Sequence, residues 1–202
     1  MNNIKLIDGH VNFGHELLAD KSKEIIKESI ENNIIGMLCV NSNLSEFLND
    51  LKIIEDYELI DMTIGHHPNY VNQMSIIDME IILDKNLKEN SKIVAVGETG
   101  LDFYYDADRT KQIESLEIHF EKASQYNKSV LITGETATED LKNYLEELVQ
   151  NKAPKMNKLS NEVAVMPNSS FLARAKDGVI SVQIEALFLD QEVFHPAHVS
   201  VL

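Results

Sequence analysis

Along most of this chain, short apolar runs bounded by polar turns alternate with longer stretches whose apolar residues recur every three or four positions. This is the pattern of βα units built around a parallel sheet. Strands are predicted at Ile4 to Ile7, Ile35 to Val40, Leu59 to Gly65, Ile93 to Val96 and Val130 to Ile132. A helix capped by Ser22 is predicted to run to about Asn33, with Ile25, Ile26, Ile30 and Ile34 on one face. A second is predicted from about Leu44 to Tyr57, where Phe47, Leu48, Leu51 and Ile54 keep helical spacing. Others follow at Ser75 to Asn86, at Arg109 to Tyr126 with Ile113, Leu116, Phe120 and Ala123 inward, and at Thr138 to Val149 with Leu141, Leu145 and Leu148 inward. The expected fold class is α/β, a partial or distorted (β/α) TIM-type barrel with parallel strands.

After Asn151 the rhythm fades. Lys152 to Lys158 is a basic connector containing Pro154, so the chain divides into a (β/α) domain over residues 1–151 and a divergent tail over 152–202 that is a candidate to complete the barrel. Val163 to Met166 and Val179 to Leu189 read as strands within that tail.

Charge narrows the range of partners. With 18 Lys and Arg against 33 Asp and Glu, the formal net charge is -15 and the molecule as a whole repels polyanions. Any action on nucleic acid therefore needs a bound cation to supply local positive charge. Cys39 is the sole cysteine, which excludes an internal disulfide; within Ile35 to Val40 it reads as a small buried hydrophobe. Residues Met1 to Lys5 carry no basic segment leading into an apolar run, and no stretch reaches the roughly 18 consecutive apolar residues of a membrane span. The expected setting is the cytoplasm, with no membrane partner.

Candidate chemistry sits at the strand ends, where the βα loops of a parallel barrel open. The sharpest signal is Val94 to Tyr105, an apolar strand that ends on Glu98 and runs at once into Thr99-Gly100, with Asp102 four residues on. Glu98 there suits a cation bridge or a base, which makes it the candidate catalytic residue; a carboxylate capping the turn is the competing reading. Asp8-Gly9-His10-Val11-Asn12 ends the first strand, with His10 as a candidate metal ligand that Asp8 could orient. At Gly65-His66-His67-Pro68, adjacent side chains point to opposite sides of an extended chain, so at most one imidazole faces a site. Thr133 ends the fifth strand with only a neutral hydroxyl.

Together these segments resemble the TatD family of metal-dependent hydrolases, (β/α)-barrel enzymes of the amidohydrolase type that cleave phosphodiester bonds, usually in DNA. The resemblance covers roughly residues 4 to 148 and is most specific at Val96-Gly97-Glu98-Thr99-Gly100-Leu101-Asp102-Phe103, followed by Gln112, Leu116 and His119 at the family's helical spacing. Ile7-Asp8-Gly9-His10, Gly65-His66-His67-Pro68 and Val130-Leu131-Ile132-Thr133 fall in the family's order.

The departures concern ligands. The family's His-x-His after strand one is His10-Val11-Asn12 here; its His-Pro-His after strand three is His67-Pro68-Asn69; its strand-five His is Thr133, and the Arg-Asp that follows becomes Glu135-Thr136. The family's later His and terminal Glu-Thr-Asp have no counterpart in residues 150–202. By residue type, His10 and Glu98 remain as metal ligands, with Asp8, Asn12, His67, Asp102 and Thr133 as candidates to touch substrate or support the ligands from behind. His195 and His198 near the C-terminus are a further candidate imidazole pair.

The resemblance implies a divalent cofactor, Mg, Mn or Zn, and a nucleic acid or small phosphoester as substrate. The depleted ligand set predicts weak or absent catalysis. The opposing reading is a non-catalytic binding or scaffold protein that takes no cofactor, and a third is a truncated or rearranged product. A complete barrel of this type needs about 250 residues, so the edges of strands one and five call for cover by the Val179 to Leu189 strand or by a second copy in a homodimer.

Overall fold

The computed structural model describes residues 5–104 and 107–133, together with the backbone of two strands at 169–176 and 179–186. Strand β1 (Leu6–Val11) is followed by a 3-10 turn (Ala19–Lys21), α1 (Ser22–Glu31), β2 (Ile34–Cys39), α2 (Phe47–Ile54) and β3 (Ile60–Ile64). A second 3-10 turn (Pro68–Gln73) leads to α3 (Ile76–Glu89), β4 (Ile93–Gly100), α4 (Arg109–Gln125) and β5 (Ser129–Thr133). β1 to β5 pair in chain order and all in parallel, each crossover but the first few loop residues being a helix. The five strands curl into half of a (β/α) barrel, as the sequence pattern predicts.

Parallel strands at this spacing need one face covered by the crossover helices, and the core forms there. Ile60, Met62 and Ile64 of β3, with Ile93 and Val96 of β4, are buried together with Ile26 of α1, Phe47 and Ile54 of α2, Met79 and Leu83 of α3, and Leu116 and Phe120 of α4. Each such side chain contributes about 1.5–3 kcal/mol on leaving water. Asp61 and Val94 are exposed between buried neighbours, so the opposite sheet face is open at this level.

Several local expectations change. Ser22 does not cap α1: it is the first helical residue, and its hydroxyl donates to the Ala19 carbonyl. The caps that form are Ser75 on α3 and Asp108 on α4, each accepting from a main-chain N–H three residues on. In α2 the buried stripe runs through Phe47, Asp50 and Ile54, leaving Leu48 68% exposed and Asp50 2% exposed. β1 extends through Val11, so His10 lies within the strand instead of after it, and β4 continues past Glu98 to Gly100.

Beyond β5 the sheet reverses. β6 (Ser169–Lys176), which the pattern did not predict, pairs antiparallel with β5, and β7 (Val179–Ala186) pairs antiparallel with β6. The strand expected at Val179 thus sits two places out from β5, beyond β6, while β1 keeps an unpaired edge among the described residues. The predicted helix at Thr138 to Val149, the strand at Val163 to Met166, and His195 and His198 lie outside the described residues. Among the described residues no helix is long and apolar enough to cross a membrane.

Candidate functional site

Glu98 owes its position to glycines. Gly97 has φ +135°, a conformation other residues rarely adopt, and a Cβ there would lie 2.2 Å from the Leu131 carbonyl oxygen. A Cβ on Gly65, at the end of β3, would lie 2.2 Å from Gly97 C and 2.6 Å from Glu98 N, so β3 and β4 meet backbone on backbone. The β4–β5 register slips between Val96 and Thr99, and this slip turns Glu98 out of the regular ladder. The Glu98 N–H then donates to the Asn41 carbonyl at 3.0 Å, reaching past the end of β3 to the residues after β2.

Asn41 is 1% exposed and bonded on all sides. Its N–H donates to Thr63 Oγ1 at 3.1 Å, its Nδ2 donates to Asn43 O at 3.0 Å and to Asp50 Oδ2 at 2.8 Å, and its Oδ1 accepts from Gly65 N at 3.4 Å. Burial pushes the Asp50 carboxyl up to about 6, against the lowering effect of the Asn41 bond, and the nearby Glu46 charge raises it further. Its other oxygen, Oδ1, faces Gly14 and has no hydrogen-bond partner among the described residues. Cys39 is fully buried and its thiol is pushed up to about 12 by desolvation, which agrees with an inert apolar role.

The histidines divide into two kinds. His66 is fully buried: Nδ1 accepts from Leu44 N at 3.3 Å and Nε2 donates to Tyr70 O at 2.8 Å, a neutral tautomer set by its partners. His119 on α4 is also fully buried, with Nδ1 donating to Ser115 O at 2.6 Å and Nε2 accepting from His66 N at 3.0 Å. Desolvation holds it neutral, lowering its ring to about 4. His67 spends its Nδ1 on Asn69 N at 3.2 Å, starting the turn that Pro68 continues. His10 is half-buried, and its main-chain N–H donates to Asp8 Oδ1 at 3.1 Å.

The remaining sequence candidates serve the backbone in the bonds the structure shows. Gln112 makes two 2.8 Å bonds to the main chain of Asp102, donating to its carbonyl and accepting from its N–H, while Asp102 Oδ1 accepts from Tyr104 N. Thr133 is buried at the end of β5, where its carbonyl accepts from Leu101 N at 3.3 Å and leaves no room for a Cβ on Gly100. The Asn12 carbonyl accepts from His15 N at 3.2 Å. Sequence reasoning passed over Asn41 and Asp50. Their signals were present: a polar residue just after a strand, and a carboxylate on the Phe47-Leu51-Ile54 stripe of α2.

Among the described residues, no group of three or more His, Cys, Asp or Glu side chains could hold a metal ion. His10 and Glu98 stand on strands three places apart in the sheet. A catalytic zinc is held by three protein ligands plus an open position, and the described donors do not complete such a cage.

A curled parallel half-barrel with polar groups gathered at its C-terminal strand ends defines the class of (β/α)-barrel proteins. Within that class the chain belongs to the TatD-related DNase family, whose model matches residues 7–166. It is 29% identical over 150 residues to a metal-dependent hydrolase of Buchnera aphidicola, covering 70% of this chain and 57% of that protein. It is 27% identical over 143 residues to the metal-dependent hydrolase YabD of Bacillus subtilis, covering 70% and 55%. A 3'-5' ssDNA/RNA exonuclease TatD from Shigella flexneri is 28% identical over 98 residues, 48% of this chain and 37% of that one. The chain spans little more than half the length of the first two of these relatives. In structure it is similar to the TatD homologue YjjV of Escherichia coli, with TM-score 0.64 and 22% identity over 70% of this chain and 55% of that one. A TatD-family hydrolase of Entamoeba histolytica gives TM-score 0.61 at 19% identity, over 73% and 56%. Both likenesses bear on fold alone.

Proposed function

We propose that this chain is a TatD-type, metal-dependent hydrolase homologue for phosphodiester bonds of the DNA kind, with a depleted ligand set, a weakly held divalent ion and slow turnover. The observation that carries the reading is the strand end of β4: the family signature around Glu98 is accompanied by the glycine contacts and the Asn41 bond that hold that carboxylate's backbone in one place. Glu98 and His10 are the proposed ligands. Asp8, Asn12, His67, Asp102 and Thr133 are proposed to line or brace the site. The net charge of -15 repels a polyanionic substrate, so the ion would also supply the local positive charge that draws a phosphodiester in.

The test is hydrolysis of bis(4-nitrophenyl) phosphate and of an end-labelled single-stranded oligonucleotide with Mn²⁺, Mg²⁺ or Zn²⁺. The expected result is slow cleavage that a chelator stops and Glu98→Gln abolishes. Absence of metal-dependent cleavage with all three ions overturns the reading. A second reading, a non-catalytic binding or scaffold protein, is favoured by one observation, the lack of a three-ligand group among the described residues. It predicts a folded chain with no affinity for any of the three ions.

A further inference from the structure

We propose that the outer face of α3 is a self-association surface, on which a second copy of this chain lays its own α3 antiparallel across a two-fold axis near Ile81. On its inner side α3 buries Met79, Leu83 and Leu87, spaced four positions apart. On the opposite side Ile77 is 70% exposed and Ile81 59% exposed, one turn apart and the two most exposed isoleucines among the described residues. Isoleucine is a poorer helix former than Leu, Lys or Glu, so helix propensity gives no reason to place two of them on a solvated face. Single exposed apolar residues are ordinary. Here the stacked pair is continued on the same side by the exposed Lys85 and Lys88, whose apolar stems extend it into a stripe along the helix.

Charge along the stripe selects the occupant. Glu80 and Asp84 are engaged by Lys122 of α4 at 3.1 and 3.0 Å, whereas Lys85 and Lys88 make no ion pair among the described residues. Asp78, exposed and bonded to the Ser75 hydroxyl, is the acidic end of the face, and the two lysines are its basic end. A two-fold axis sets a surface against itself. With the axis near Ile81, that side chain packs on the partner's Ile81, the methylenes of Lys85 cover the partner's Ile77, and the Lys85 ammonium reaches the partner's Asp78. A parallel pair would set Asp78 on Asp78 and lysine on lysine, so the charges favour the antiparallel one, as do the opposed helix dipoles. The net charge of -15 opposes the approach of two copies, and the two Lys85–Asp78 pairs offset that repulsion locally. One pair of 14-residue helices, each about 21 Å long, makes a small interface, so the dimer is weak and concentration-dependent.

Sedimentation velocity of the 202-residue chain, from low micromolar to several hundred micromolar, tests the proposal. A monomer–dimer equilibrium is expected, and Ile81→Glu, which sets two carboxylates together at the axis, should weaken it at least roughly tenfold. Lys85→Asp and Asp78→Lys should each weaken the dimer, and the double variant, with the pair reversed, should associate more tightly than either single one. Ile81 and Lys85 are exposed, so their variants should keep the unmutated urea midpoint. Asp78→Lys disturbs the Ser75 cap, and if it does not fold, Ile81→Glu and Lys85→Asp carry the test. A chain that stays monomeric throughout the range overturns the proposal and leaves the stripe to a different protein. A dimer that Ile81→Glu leaves at full strength also overturns it, because the copies then meet through another face, such as the unpaired edge of β1. Reversed charges that fail to restore association overturn the antiparallel pairing.

Discussion

The ends of β1 and β4 each present a candidate metal ligand, and the protein holds the two in different ways. Glu98 is fixed through its backbone by the backbone contact of Gly65, by the Asn41 carbonyl and by the closeness of Gly97 to Leu131, all in the interior. His10 sits half-buried where the β1–β2 register slips, and its main-chain N–H donates to Asp8 Oδ1 at 3.1 Å in a tight turn. The flank beyond β4 follows the rigid pattern, since α4 reaches back with Gln112 to the Asp102 main chain and with His119 to the His66 N–H. The difference teaches that the end of β4 is held by bonds that also hold the barrel, whereas the end of β1 is held by a local turn.

This comparison can be broken most directly with Gly65→Ala. The added methyl would collide with main-chain atoms of Gly97 and Glu98 that cannot rotate away, so stability should fall by about 3 kcal/mol or more in urea unfolding. The corresponding change at the end of β1, Asn12→Ala, should stay within about 0.5 kcal/mol. Comparable losses for both would erase the distinction.

Acid titration sharpens the same contrast. His119 is held neutral when folded, with its ring lowered to about 4, and protonates near 6.5 when unfolded. The unfolded state therefore binds the extra proton first, and stability should fall as pH drops from about 6.5 to about 4, by up to about 3 kcal/mol. His66, lowered chiefly by burial, acts in the same direction. Unfolding free energy measured against pH should lose most of this slope in His119→Gln, which can still accept from His66 N.

Asp50 has the opposite sign. Its folded value near 6 lies above the unfolded 3.8, so the folded state binds the proton first and the charged form costs stability at high pH. Asp50→Asn should stabilise the chain by about 1 kcal/mol at pH 8, after allowance for the unpaired NH₂ it introduces, and the gain should shrink as pH falls toward 5. Asp8→Ala, which removes one half-buried bond to the His10 N–H, should cost about 0.5–1 kcal/mol at most in the same assay.

The order of strands and helices was readable from apolar spacing because each crossover helix buries one stripe and each strand is a short apolar run. Glu98 was readable because few structures need a carboxylate between two glycines at a strand end. Other features follow from contacts distant in sequence. Asp50 lies on the buried α2 stripe at the spacing of Phe47 and Ile54, and the Asn41 amide that gives its carboxylate a partner there comes from a loop nine residues earlier. His66 and His119 lie 53 residues apart, and the bond between them arises from the packing of α4 over the end of β3. The antiparallel β6 has only Phe171 and Leu172 as large apolar residues, with Arg174 and Lys176 after them, a weak apolar signal that pairing with β5 overrides.

The central claim is that one wall of a TatD-type metal site persists on this scaffold. It is tested most directly by calorimetric titration of Mn²⁺ into the unmutated chain, His10→Ala and Glu98→Ala. The account predicts weak binding to the unmutated chain, weaker binding in His10→Ala and none in Glu98→Ala. No binding to the unmutated chain, or binding that survives Glu98→Ala, contradicts it.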